Sequence, residues 1–303
     1  MPDRSRLTFV AWCLGAAVLA AQSDRIAIRL VPKPESTIHY QFAQELSIDV
    51  SPDASVSGGL AIPPITTMLK VDLACTQVNG SRDAQGQMES RMTYDQMNVS
   101  VTLNGQPMPG GAPASQLVGR QVTMKYDDQG NVVDVQMPAD MPAPAEQMKG
   151  LIMAFSNALP PVTLAIGEST SVPLNLALPM PLPGGSASPS LQGQTVLKLL
   201  SIDRDGAAPE NAADRIARFE STIDVSLDNS DTAAAPPGPL LGVKLEFRVN
   251  GKGTMDANLD GGFIKTSQMN GTLDGAVSPG SSGVSLPPMK FAGTLKITMT
   301  GTY

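Results

Sequence analysis

Apolar and polar residues alternate with a period of two over long stretches of the chain, the rhythm of a strand with one buried and one wet face. From Ile38 the even positions Tyr40, Phe42, Leu46, Ile48 and Val50 are apolar, while His39, Gln41, Glu45, Ser47 and Asp49 between them are polar. Leu69, Val71, Leu73 and Cys75 alternate in the same way with Lys70, Asp72 and Thr76, and Phe219, Ile223, Val225 and Leu227 with Arg218, Glu220, Asp224 and Ser226. Further strands are read at Val243 to Val249 and Phe291 to Met299. Such alternation belongs to antiparallel sheets with one solvated face, not to parallel sheets covered on both sides. The expected fold class is therefore mainly β, with one or more large curved antiparallel sheets or a half-barrel.

Two departures from the rhythm carry information. Met92 and Tyr94 are even, whereas Met97, Val99, Val101 and Leu103 are odd. One extra residue near Asp95-Gln96 restores the face, which predicts a β-bulge and a bend. After Pro142 and Pro144, the apolar positions Met148, Leu151, Ile152, Phe155 and Leu159 follow helical spacing until Pro160-Pro161. This predicts a single amphipathic helix over 141–159, packed by its stripe on a sheet.

Asp127 to Asn131 and Asn258 to Gly262 carry the Asp, Asn and Gly of tight hairpin turns, inside Gln121 to Met137 and Gly253 to Gly271. Proline- and glycine-rich stretches at Gln106 to Gly111, Leu178 to Gly185, Ala233 to Gly242 and Val277 to Pro288 read as surface loops. A soft boundary after Pro160 divides a β-rich part at 22–160, ending in the helix, from a β-rich part at 161–303. Both are expected to belong to one continuous domain.

The N-terminus sets the compartment. Arg4 and Arg6 precede an apolar run from Leu7 to Ala21, which ends in small residues and is shorter than the roughly 20 residues that span a bilayer. Residues 1–21 are read as a secretory signal peptide, and the protein as exported, periplasmic or secreted. Cleavage removes Cys13 and leaves Cys75 as the remaining cysteine, so an internal disulfide is excluded and stability must come from a packed core. No later segment is apolar enough to span a membrane as a helix.

Charge and composition exclude several functions. The formal charge is −7 and the basic residues are scattered, which argues against nucleic acid as a partner. Aromatic residues make up 4% of the chain, too few for a platform of stacked rings. The single histidine, His39, falls on the wet face of its strand and no nucleophile elbow accompanies it, so no catalytic residue is assigned. Cys75 is in register with apolar neighbours and should be buried and inert.

Asp256, Asn258 and Asp260 match the first half of a calcium loop, but Ser267 stands where a bidentate Glu belongs. A hairpin turn is the stronger reading, and no metal or other cofactor is expected. Asp127-Asp128 and Asp203/Asp205 are turn residues before they are a hydrolase pair. Sixteen methionines suit gap-filling in a core or a plastic lining for an apolar ligand.

The order of signal, strands, Asp-x-x-Gly hairpin and amphipathic helix, followed by Leu159-Pro160-Pro161-Val162 and Ile166-Gly167-Glu168-Ser169, resembles an uncharacterised family of exported β-rich bacterial envelope proteins. The resemblance covers roughly 121–174. At the level of fold, a curved sheet with a helix on its concave face is similar to lipoprotein carriers of the LolA and LppX kind. That similarity implies an acyl chain held between sheet and helix.

The expectation is thus a non-enzymatic envelope protein that binds a lipid or other hydrophobic ligand. The candidate lining is Tyr40, Phe42, Leu46, Met97, Val99, Met148, Ile152 and Phe155. Two alternatives stay open, a structural or assembly scaffold with a filled core and an envelope protein as partner, and an acidic hydrolase.

Overall fold

A computed structural model of the chain describes residues 25–52, 63–108, 117–138, 149, 159, 161–177, 190–205, 214–228, 243–279 and 288–303. The signal segment lies outside the described residues, as does the helix expected over 141–159, apart from Lys149 and Leu159.

The strands run β1 (Ile26–Ile28), β2 (Thr37–Pro52), β3 (Ile65–Arg82), β4 (Met88–Leu103), β5 (Gln106–Pro107), β6 (Gln121–Tyr126), β7 (Val132–Gln136), β8 (Val162–Leu164), β9 (Ser169–Ala177), β10 (Ser190–Arg204), β11 (Arg215–Asp228), β12 (Val243–Asn258), β13 (Phe263–Pro279) and β14 (Met289–Thr302). Twelve of them form one antiparallel sheet in the order β7-β6-β4-β3-β2-β14-β13-β12-β11-β10-β9, with β5 attached to β4; β1 and β8 pair separately. Neighbours in the chain are neighbours in the sheet except at the centre, where β2 meets β14 from His39↔Thr302 to Pro52↔Met289. That pairing joins the N-terminal and C-terminal parts into a single sheet, open between β7 and β9 among the described residues.

The expected bulge is present. Ala74 pairs with Gln96 and Cys75 with Tyr94, so Asp95 is the extra residue and the apolar positions of β4 return to one face. Leu200 on β10 and Lys265 on β13 are likewise unopposed. With these corrections the register gathers most apolar residues of the long strands on one face, with Gln44, Gln77, Asn79 and Ser90 as polar members of it.

The sheet is strongly curled. Strands β6 and β12 stand six places apart in the order, roughly 29 Å if the sheet were flat. Yet the turn after β6 and the turn after β12 both abut consecutive residues of the segment following β1. A Cβ at Gly130 would overlap the Leu30 carbonyl, and one at Gly262 the Val31 carbonyl. The same segment hydrogen-bonds Gly261 through the Lys33 N–H (3.1 Å) and Gly80 through the Glu35 N–H (3.2 Å). It crosses one end of the curl as a plug.

Because β1 and β8 pack on the apolar face, that face is the concave one. Ile28 and Leu164 join Leu197, Leu199, Phe219, Met255 and Ala257 in one buried cluster, together with Leu159. A second cluster at the same end contains Cys75, Met88, Tyr94, Val122, Met124, Tyr126, Val132 and Val135. Each such side chain taken fully from water contributes about 1.5–3 kcal/mol, so the plugged end is where the fold is anchored.

Gly262 has φ of +70° as well as no room for a Cβ, whereas Gly105 has φ of +76° and open space around it. Gly262→Ala is expected to cost about 2–3 kcal/mol in urea unfolding and Gly105→Ala about 1 kcal/mol. Equal costs would show that the plug does not press on the β12–β13 turn.

Candidate functional site

The concave face continues beyond the plugged end as an apolar trough. Its rows are set by register, with Met299, Phe42, Leu73 and Met97 side by side, then Ile297, the polar Gln44, Val71 and Val99, then Leu295, Leu46, Leu69 and Val101. All of these are half-buried, and Ile65 and Leu103 at the far end are each 38% exposed. On β11 to β13 the same face is closed, since Val225, Leu227, Val249 and Leu273 are buried. At the open end Phe247 and Phe291 pack with ring centroids 5.8 Å apart.

Of the lining read from the sequence, Tyr40, Phe42, Leu46, Met97 and Val99 share this face. Met148, Ile152 and Phe155 lie outside the described residues. Lys149 is helical and its Nζ lies 3.3 Å from Asp134 on β7. Sequence reasoning missed the contribution of Leu295, Ile297 and Met299. Their alternation was visible, but their place beside β2 follows from a pairing across nearly the whole chain.

The convex face is polar and cross-braced. Lys70 pairs with Glu45 (2.9 Å), Arg218 with Asp256 (3.0 Å) and Arg248 with Asp224 (2.8 Å). Hydrogen bonds from these bases hold the Glu45 and Asp224 carboxyls below their usual range. Exposed pairs of this kind add little stability but keep the face wet. A transmembrane barrel has the opposite arrangement, apolar outside and polar inside. No helix among the described residues is long and apolar enough to cross a membrane.

His39 lies on this convex face and is exposed. Its Nδ1 is 3.0 Å from Thr76 Oγ1, and Thr76 in turn donates to Asp95 Oδ2 at 2.7 Å. Thr76 has one hydroxyl proton and gives it to Asp95, so the imidazole must donate to Thr76. In this His39–Thr76–Asp95 arrangement the imidazole therefore does not act as a base toward the Thr76 hydroxyl. Nearby, Gln41, Ala43, Asp72, Ala74, Gln96, Thr298 and Thr300 surround an open depression of about 270 Å³.

The calcium candidates do not converge. Asp256 is engaged by Arg218, and Asp260 by Arg215 at 2.6 Å, which keeps the Asp260 carboxyl below its usual range. Asn258 is buried in the turn, accepting the Gly261 N–H (2.7 Å) and donating to Asp214 (2.7 Å). The described residues hold no cluster of three or more His, Cys, Asp or Glu fit for a metal ion.

Polar groups do enter the concave side at the plugged end. Gln77, Asn79 and Ser90 are buried and mutually bonded, with Asn79 accepting from Gln77 (2.9 Å) and Ser90 (2.7 Å) and donating to Lys33 and Ser36. Burial raises the Tyr40 hydroxyl above its ordinary range, and the neighbouring Tyr126, Cys75 and Tyr303 add to this. Burial also pushes Tyr94 up to about 12, and Tyr126 up to about 12 against a hydrogen bond from Gln77. The Cys75 thiol is pushed up to about 11 by burial and by the Asp95 carboxylate.

No protein-family model matches the sequence, and no curated protein does. Among solved structures, the chain is similar to lipovitellin, in a structure described as lipid-protein interactions in lipovitellin. The identity is 11% and the TM-score 0.43, over 88% of this chain and 25% of that one. The chain thus spans about a quarter of the length of that protein.

The raised thiol and phenols set an alkaline limit. Between the ordinary values of 9.0 and 10.0 and the raised folded ones, the unfolded chain has released protons that the folded chain still holds. Stability is therefore full below about pH 9 and falls as pH rises toward about 12. Urea midpoints measured from pH 8 to 11 should decline, and Tyr94→Phe should flatten the decline. A midpoint unchanged at pH 11 would mean these groups are not buried.

Proposed function

We propose that the protein is a non-enzymatic, exported envelope protein that holds a lipid or other hydrophobic molecule against the concave face of its sheet. The observation that carries this reading is the half-buried row system from Phe42 to Leu46 and from Leu69 to Leu73, continuing an apolar surface that is fully packed only at the plugged end. A largely apolar surface, interrupted on β2 by Gln44 and left incompletely covered inside a curl with a charged exterior, is suited to an apolar ligand. His39 is exposed on the convex face, away from the trough, and its partner Thr76 gives its proton to Asp95.

A second reading has its own support. Val225, Leu227, Val249 and Leu273 are already buried on the same face, which favours a filled interior on the C-terminal side. In that case the protein acts through its surface as an assembly scaffold for an envelope partner.

Mass spectrometry of an organic extract of the protein, purified from its native envelope, should yield bound lipid. The neutral fluorophore N-phenyl-1-naphthylamine should bind the delipidated protein. Leu46→Glu, which places a charge in the trough, should lower that binding by tenfold or more, and the convex-face change Gln41→Glu should leave it unaltered. Lipid-free extracts together with no fluorophore binding would sink the ligand reading, and a stoichiometric co-purifying envelope protein would then favour the scaffold.

A further inference from the structure

Where the plugged end gives way to the trough, Tyr40, Cys75 and Tyr94 stand side by side on β2, β3 and β4. One step toward the open end the corresponding residues are Phe42, Leu73 and Met97, all apolar; one step the other way are Ile38, Gln77 and Met92. Three polar tips therefore form a band across the floor, and the next polar group on this face toward the open end is Gln44 on β2, beside Val71. The Tyr40 and Tyr94 hydroxyls have no hydrogen-bond partner among the described residues, although Tyr40 is half-buried and Tyr94 is 6% exposed. The Cys75 thiol is within electrostatic reach of both.

Buried hydroxyls left without partners are costly and uncommon in native folds, so the band calls for a hydrogen-bonding group from elsewhere. Among the described residues no Lys or Arg acts on Tyr40, Cys75 or Tyr94, and the charged group that does is the Asp95 carboxylate, which acts on Cys75. An anion would be repelled there, and a cation would lose its water without gaining a paired counter-charge.

We propose that the Tyr40–Cys75–Tyr94 band seats the uncharged, hydrogen-bonding end of a single-chain amphiphile, whose hydrocarbon tail runs over Phe42, Leu73 and Met97 toward the open end. The proposal rests on the ligand reading above and narrows it to a chemical class, that of a long-chain alcohol or its equivalent. From Tyr40 to Val50 the floor extends roughly 33 Å, enough for an extended sixteen-carbon chain.

The test displaces N-phenyl-1-naphthylamine at pH 8 with hexadecan-1-ol, hexadecanoate or hexadecylammonium, using the native protein and the Tyr40→Phe/Tyr94→Phe double variant. The alcohol should displace the fluorophore at concentrations about tenfold below either charged chain. The double variant keeps both rings, so its preference for the alcohol over hexadecanoate should fall about fivefold to tenfold, while the convex-face control Gln41→Glu should keep the native preference. Charged chains binding as well as the alcohol, or a double variant with an unaltered preference for the alcohol, would overturn the seat and leave the trough standing. Failure of the native protein to bind the fluorophore would remove the trough and the seat with it.

Discussion

The pairing of β2 with β14 is the contact on which the architecture turns. Each part of the chain is by itself a meander of strands joined to their sequence neighbours, and each would be a separate sheet with its own edges. The unbroken register from His39↔Thr302 to Pro52↔Met289 merges them, so that two apolar faces become one. A sheet of this width with residues from the β1 segment touching both β6–β7 and β12–β13 turns must close around its apolar side. The chain then has to pass from the β7 edge to the β9 edge, and on the way it contributes β8, which pairs with β1 inside the curl.

The two ends of the curl differ in how completely they satisfy the hydrophobic effect. At the plugged end, Ile28 and Leu164 lie against Phe219 and Leu199, and the Gln77–Asn79–Ser90 network ties the N-terminal segment to β3 and β4. Burial there is nearly total, and polar atoms are mostly paired. Farther along β2 and β3 the same alternation continues, but Phe42, Leu46, Leu69 and Leu73 remain half-exposed to the interior of the trough. The convex side carries the opposite chemistry, with ion pairs spanning neighbouring strands. Stability and ligand capacity are thus separated along a single set of strands.

The band of Tyr40, Cys75 and Tyr94 lies at the junction of these two regimes. Tyr94 and Met97 are three positions apart and would lie on opposite faces of a regular strand; the bulge at Asp95 puts both on the concave face. The same bulge turns Asp95 outward to meet Thr76 and, through it, His39. One inserted residue therefore shapes both surfaces of the sheet, as bulges near functional sites commonly do.

Much of this was written in the order of side chains. Alternation identified the long strands, the parity change located the bulge at Asp95, and Asp, Asn and Gly marked the turns at 127–131 and 258–262, because strand faces and tight turns are decided by residues close in sequence. It also placed Tyr40, Phe42, Leu46, Met97 and Val99 on apolar faces. It could not place those faces together, nor mark the bulges at Leu200 and Lys265, nor find the three-residue pairing of β1 with β8, which is too short to carry a pattern. The apposition of β2 and β14, the direction of curl and the half-covered state of the trough arise from contacts between residues more than two hundred positions apart. Local preference cannot encode such contacts, because the free energy that selects them comes from burying surfaces that do not exist until the whole sheet has formed.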